Sequence, residues 1–127
     1  MIMQLSLGTA LLLLSILAAG LGYVVVEGLM IRAQGWARQP PHRPRIVALL
    51  CLAMLAAMAQ LTVSVWIWAV AFRAVGAFDT MEPSVYFALV TSTTLGFGDI
   101  LLPEAWRLLG GLAAANGLMN VGLLTAL

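Results

Sequence analysis

Residues 83–102 read PSVYFALVTSTTLGFGDILL, uncharged until Asp99 and carrying two glycines at alternate positions, Gly96 and Gly98. Pro83 suits the first position of a helix, with Thr80 or Glu82 as capping candidates, so the pattern predicts about three helical turns from Ser84 to Ser92. Such a helix, ~11 residues at 1.5 Å each, covers only about 16 Å, roughly half of a ~30 Å hydrocarbon core. The stretch is too short to cross a membrane twice, so between two spans it must dip in and come back. Irregular backbone at that depth is tolerable only where it lines a wet cavity or is buried in protein.

Its flanks supply the spans. The chain has 127 residues, 63% hydrophobic and 9% charged, with a mean hydropathy of +1.06, far too apolar for a water-soluble domain of this size. Three uncharged runs, Leu5 to Val26, Ile46 to Phe72 and Leu108 to Leu127, reach the ~18–20 residues that a spanning helix needs. The fold class expected is an all-α membrane protein with three transmembrane helices and one re-entrant helix. Met1 to Gly20 has no basic residue ahead of its apolar run and is read as part of a span, not a cleaved leader.

Charge orders these elements. All six basic residues are arginines and the net charge is +1, which excludes the basic surface of a nucleic-acid partner. Arg32, Arg38, Arg43 and Arg45 fall with His42, Gly35, Pro40, Pro41 and Pro44 in residues 32–45, read as a basic cytoplasmic loop. The chain then starts outside (residues 1–31, an extra N-terminal helix) and returns outward along residues 46–72. Residues 73–82 form an outer turret, and the last helix, residues 105–127, brings the C-terminus to the cytoplasmic side. A multi-pass protein of the cell membrane, plasma or bacterial inner, is expected, with the lipid bilayer as a partner. Trp66, Trp68 and Phe72 fit an aromatic belt at the outer interface. No span repeats arginine every third residue, so the usual voltage sensor is absent.

The string Thr93-Thr94-Leu95-Gly96-Phe97-Gly98-Asp99 resembles the potassium channel signature T-V-G-Y-G-D. To replace the water around a dehydrated cation, successive carbonyls must all face one axis, which needs conformations that residues with a Cβ rarely adopt. Gly96 and Gly98 supply them. The resemblance implies a selectivity filter over residues 93–99, with Thr94 to Asp99 as its core. Potassium would bind at the carbonyls of Thr94, Leu95, Gly96 and Phe97, and the Thr94 hydroxyl would be the innermost ligand. One chain carries one strip, whereas a closed ring needs four; hence a homotetramer, a tetrameric pore with residues 83–92 as pore helix and residues 46–72 as outer helix.

The resemblance covers Met81 to Leu127. It places a gating-hinge glycine at Gly117, with Leu118, Val121, Gly122 and Thr125 along the inner helix and its cavity. Around the filter, Thr93, Tyr86, Phe87 and Val90 occupy supporting positions. The family's filter tyrosine is Phe97 here, and the tryptophan that bonds it is Phe87. Both ends of one hydrogen bond are missing together, which strands no buried polar group. Val90 stands where some relatives carry a glutamate that pairs with the filter aspartate, leaving Tyr86 or water to brace Asp99. Four helix C-termini converging near Ser92 and Thr93 would favour a cation at the membrane centre. Asp79, Glu82 and Glu104 read equally as cation-concentrating charge and as ordinary solvated charge.

Asn116 and Asn120 share a helix face and read as interhelical hydrogen-bonding groups, with a cavity-lining role as the alternative. Gly110, Gly111 and Ala113 to Ala115 would let helices approach closely, and the N-terminal helix is expected to pack outside the outer helix. Cys51 and His42 read as a small hydrophobe and a solvated loop residue. With one histidine, one cysteine and no acid pair beside a nucleophile, neither an enzyme nor a cofactor is expected, only K+ as permeant ion. Two rivals remain open at this point, a non-selective cation channel and a non-conducting accessory subunit.

Overall fold

The structure, a computed structural model, describes residues 1–126; Leu127, the expected last residue of the inner helix, lies outside the described residues. Among these residues four α-helices follow in order, α1 (Ile2–Ala37), α2 (His42–Ala74), α3 (Met81–Ser92) and α4 (Arg107–Ala126), with a 3-10 turn at Glu104–Trp106 leading into α4. Among the described residues three helices are long and apolar enough to cross a membrane: Ile2–Ala37, His42–Ala74 and Glu104–Ala126. The 12 residues of α3 fall well short of that length.

The expected loop of residues 32–45 contracts to residues 38–41, and the helices on either side lengthen at its expense. Gly28 and Gly35 are too weak to break α1, at about 1 kcal/mol each relative to alanine. Pro44 is the third residue of α2, where the missing amide hydrogen has no helical acceptor to lose. Arg45 closes the turn. Its Nη1 donates to the carbonyls of Trp36 (2.6 Å) and Gln39 (2.8 Å), and its guanidinium lies 4.9 Å over the Trp36 ring. A cation thus occupies the carbonyl-rich end of α1.

The other boundaries move for similar reasons. Gly76 (φ +74) ends α2, with its N–H bonded to Arg73 O (3.1 Å) and the Ala77 N–H to Phe72 O (3.0 Å), the paired bonds of a left-handed helix stop. The expected turret of residues 73–82 is therefore only residues 75–80 outside helix. α3 begins two residues before Pro83, which sits in its first turn and not at its first position. Thr80 takes the cap position, and its carbonyl accepts the Ser84 hydroxyl at 3.0 Å.

The core lies where α3 folds back on the end of α2. Val65, Trp68, Ala69 and Phe72 present one face of α2 to Ala88 of α3, to Leu102, and to Leu109 and Ala113 of α4. Trp68 and Phe72 are 0% exposed while Trp66 is 49% exposed, so of the three residues expected in an aromatic belt only Trp66 faces outward. The spacing i, i+3, i+4, i+7 marks the buried stripe, and composition alone could not say that a fourth element would cover it.

α1 packs across both α2 and α4, not merely outside the outer helix. A Cβ on Gly8 would overlap Leu112, Ser15 meets Ser64 and Asn120, and a Cβ on Gly22 would press on Gln60. These pairings run α1 parallel to α4 and antiparallel to α2. Small residues allow it: Gly8, Ser15 and Ala19 are the buried positions of α1.

Candidate functional site

The C-terminal turn of α3 delivers the chain into residues 94–99. Thr93 N–H bonds Leu89 O (3.0 Å), Thr94 N–H bonds Thr91 O (3.0 Å), and Leu95 N–H bonds Val90 O (3.0 Å). This is the same stop that ends α2, with Thr94 in the position that Gly76 fills there. Thr94 has φ +58 and is the only non-glycine residue with positive φ among those described. A β-branched residue in that region carries strain of about 1–2 kcal/mol. The glycine rule had no means of finding Thr94, because threonine gives no signal for a left-handed stop.

Gly96 (φ +56) and Gly98 (φ +78) continue the pattern, while Leu95 and Phe97 stay out of the left-handed region. Positive φ therefore falls on every second residue from 94 to 98. All of residues 93–99 are exposed in the single chain, Leu95 by 56% and Phe97 by 67%. A Cβ added at Gly96 or Gly98 would meet nothing within 4 Å, so these glycines answer to backbone conformation and not to crowding.

Support for this strip comes partly from residues singled out in the sequence. Val90 contributes its carbonyl, which accepts the N–H groups of Leu95 (3.0 Å) and Gly96 (3.3 Å). Thr93 turns its hydroxyl back onto Leu89 O at 2.9 Å. Tyr86 donates its phenol hydrogen to Asp99 Oδ2 at 2.7 Å, tying the far end of the strip to α3. The negative carboxylate that accepts this bond holds the Tyr86 phenol above its usual pKa. The two residues border an open cleft of about 430 Å³ with Glu82, Pro83 and Ile100. Glu104 pairs loosely with Arg107 (3.6 Å) at the exposed start of α4, a contact worth little in water.

Phe87 is not brought to Phe97 within one chain. Its ring stands edge-on to Phe72 (centroids 5.2 Å, 80°) and tilted against Phe78 (5.5 Å), and a Cβ on Gly110 would sit 3.4 Å from its tip. Gly117 meets α3 directly: a methyl there would overlap the main-chain carbonyl of Ser92. Beyond it, Leu118, Val121, Gly122 and Thr125 are exposed, as is every described residue of α4 after Asn120. Thr125 returns its hydroxyl to Val121 O and Gly122 O.

Asn116 and Asn120 do join helices. Asn116 Nδ2 donates to Ser64 Oγ (2.9 Å), and Asn120 Nδ2 donates to Ser15 Oγ (3.2 Å) and Ser64 Oγ (3.1 Å). The serine partners had no signal of their own, being lone hydroxyls in apolar runs.

A family model described as ion channel covers residues 60–127, more than half of the chain. No curated protein and no solved structure matches it. The matched region takes in the last part of α2, all of α3, the alternating strip and α4, and by this match the chain belongs to the ion channel family.

Proposed function

We propose that the chain is one subunit of a homotetrameric, potassium-selective channel of the cell membrane, with Thr94, Leu95, Gly96, Phe97, Gly98 and Asp99 as its filter. The observation that carries this reading is the positive φ on residues 94, 96 and 98 and on neither residue between them. Alternation between left-handed and ordinary backbone turns successive peptide units over in step, so their N–H groups share one side and their carbonyls the other. Four such strips around one axis would surround a dehydrated K+ with oxygens at Thr94, Leu95, Gly96 and Phe97. Exposure of residues 93–99 in one chain supports the assembly, because bare irregular backbone at membrane depth needs neighbouring protein or a wet pore. In this reading α3 is the re-entrant pore helix, the N-terminus is outside, and Leu118, Val121, Gly122 and Thr125 face the cavity.

A non-selective cation channel is the second reading, favoured by the aromatic pair at the filter. Phe87 and Phe97 share no hydrogen bond, and Phe87 is engaged with Phe72 and Phe78, which leaves filter width to apolar packing. Ion flux into liposomes separates the readings. Potassium well above sodium is the expected result, equal rates favour the second reading, and no flux leaves an accessory subunit. Gly96→Asp should abolish the potassium preference, and native mass spectrometry should give four times the subunit mass.

A further inference from the structure

Ser15 of α1, Ser64 of α2, and Asn116 and Asn120 of α4 form a buried polar knot, with exposures of 0%, 1%, 0% and 6%. Its proton count is closed at Ser64. That oxygen accepts from both asparagines, which fills its two lone pairs, so its own hydrogen goes to Ser15 Oγ at 3.2 Å. Asn120 spends both amide hydrogens on the two serines. Asn116 Oδ1 is buried and has no hydrogen-bond partner within the chain.

The two asparagines bracket Gly117, one residue before it and three after. A glycine is the weakest point of a helix to bending, and this one lies against the Ser92 carbonyl at the base of α3. We propose that the knot is a restraint through which α1 holds α4 unbent at Gly117 and keeps the pore closed. The inference rests on the channel reading. Leu118 and Val121, 65% and 50% exposed, turn apolar side chains away from the knot. In a tetramer, rings of such side chains close a pore by dewetting. Swinging the part of α4 beyond Gly117 requires Asn120 to leave Ser15 and Ser64, breaking both hydrogen bonds that its amide donates. An interhelical hydrogen bond in a membrane protein is worth a bias of about threefold on average and nearly twentyfold at the strong end. The knot therefore sets how often the channel opens and does not lock it.

The test is single-channel recording of the full chain in planar bilayers. Ser15→Ala should raise the open fraction about three- to twentyfold, with unitary current and potassium preference unchanged. Ser6→Ala should change nothing, since Ser6 is exposed on the same helix and bonds only Met3 O. An open fraction unmoved by Ser15→Ala, or moved equally by Ser6→Ala, overturns the proposal. Amide hydrogen exchange in detergent reads the restraint without any current. Exchange over residues 118–123 should quicken in Ser15→Ala, and unchanged exchange there overturns the restraint even if the wild type conducts nothing. Absent wild-type current would count against the channel reading alone.

Discussion

Gly117 touches Ser92 backbone to backbone, with no side chain between the middle of α4 and the last turn of α3. Gly117→Ala would push a methyl into a carbonyl that is anchored in a helix and cannot rotate aside. Overpacking of this kind costs about 1–3 kcal/mol. Unfolding by a denaturing detergent should show that loss. Gly111→Ala, where a Cβ meets nothing within 4 Å, should instead gain up to about 1 kcal/mol from helix propensity. Equal effects at the two sites would contradict the close approach.

Thr94 separates stability from conduction. Its left-handed backbone (φ +58) is strained, so Thr94→Gly should leave the fold as stable or stabilise it by up to about 1 kcal/mol, part of the relief being offset by the freer unfolded chain. Thr94→Val keeps shape and strain but deletes the hydroxyl. On the filter reading both variants lose the innermost ligand, so potassium flux falls in both while only the glycine variant gains stability. Undiminished flux in both would remove that hydroxyl from the ion path.

Phe72 and Trp66 sit six residues apart on α2, one in the core and one at the surface. Phe72 stacks edge-on with Phe78 (6.5 Å) and Phe87 (5.2 Å) and tilted against Trp68 (5.9 Å). Phe72→Ala should cost about 3–5 kcal/mol through the cavity it leaves. Trp66→Ala should stay within about 1 kcal/mol, as surface truncations do. A comparable loss from both would return Phe72 to the interface belt.

What the sequence makes legible follows from local rules, and what it hides depends on partners. The glycines at 96 and 98, the half-length helix before them and the long apolar runs each have a period or a length that betrays them. Thr94 is named by the motif, but its left-handed backbone is hidden because the strain is imposed by the end of α3 and not announced by its residue type. Trp68 and Phe72 are hidden because a membrane aromatic looks the same at an interface and beneath a re-folded helix. Ser15 and Ser64 acquire meaning only when three helices meet. The continuation of α1 to Ala37 is hidden because four arginines, one glycine and three prolines in residues 32–45 together look like a loop, although Pro44 breaks nothing in a first turn.

Tyr86 and Asp99 offer a titration that needs no current. Tyr23 is the other tyrosine, so Tyr23→Phe leaves Tyr86 as the single phenol to follow by tyrosinate absorbance. The bond to Asp99, with lesser contributions from desolvation and from the negative charge itself, raises the Tyr86 pKa. A raised value means that the interaction is complete below the ordinary tyrosine pKa and is lost only as pH climbs through the raised one. The tie between α3 and the end of the strip therefore persists through neutral and mildly alkaline conditions. Ionisation of Tyr86 should be centred above the usual value near 10, and Asp99→Ala should bring it back down by removing the hydrogen-bond acceptor together with its charge. A midpoint at the ordinary value with Asp99 intact would mean that the carboxylate is not bonded to Tyr86.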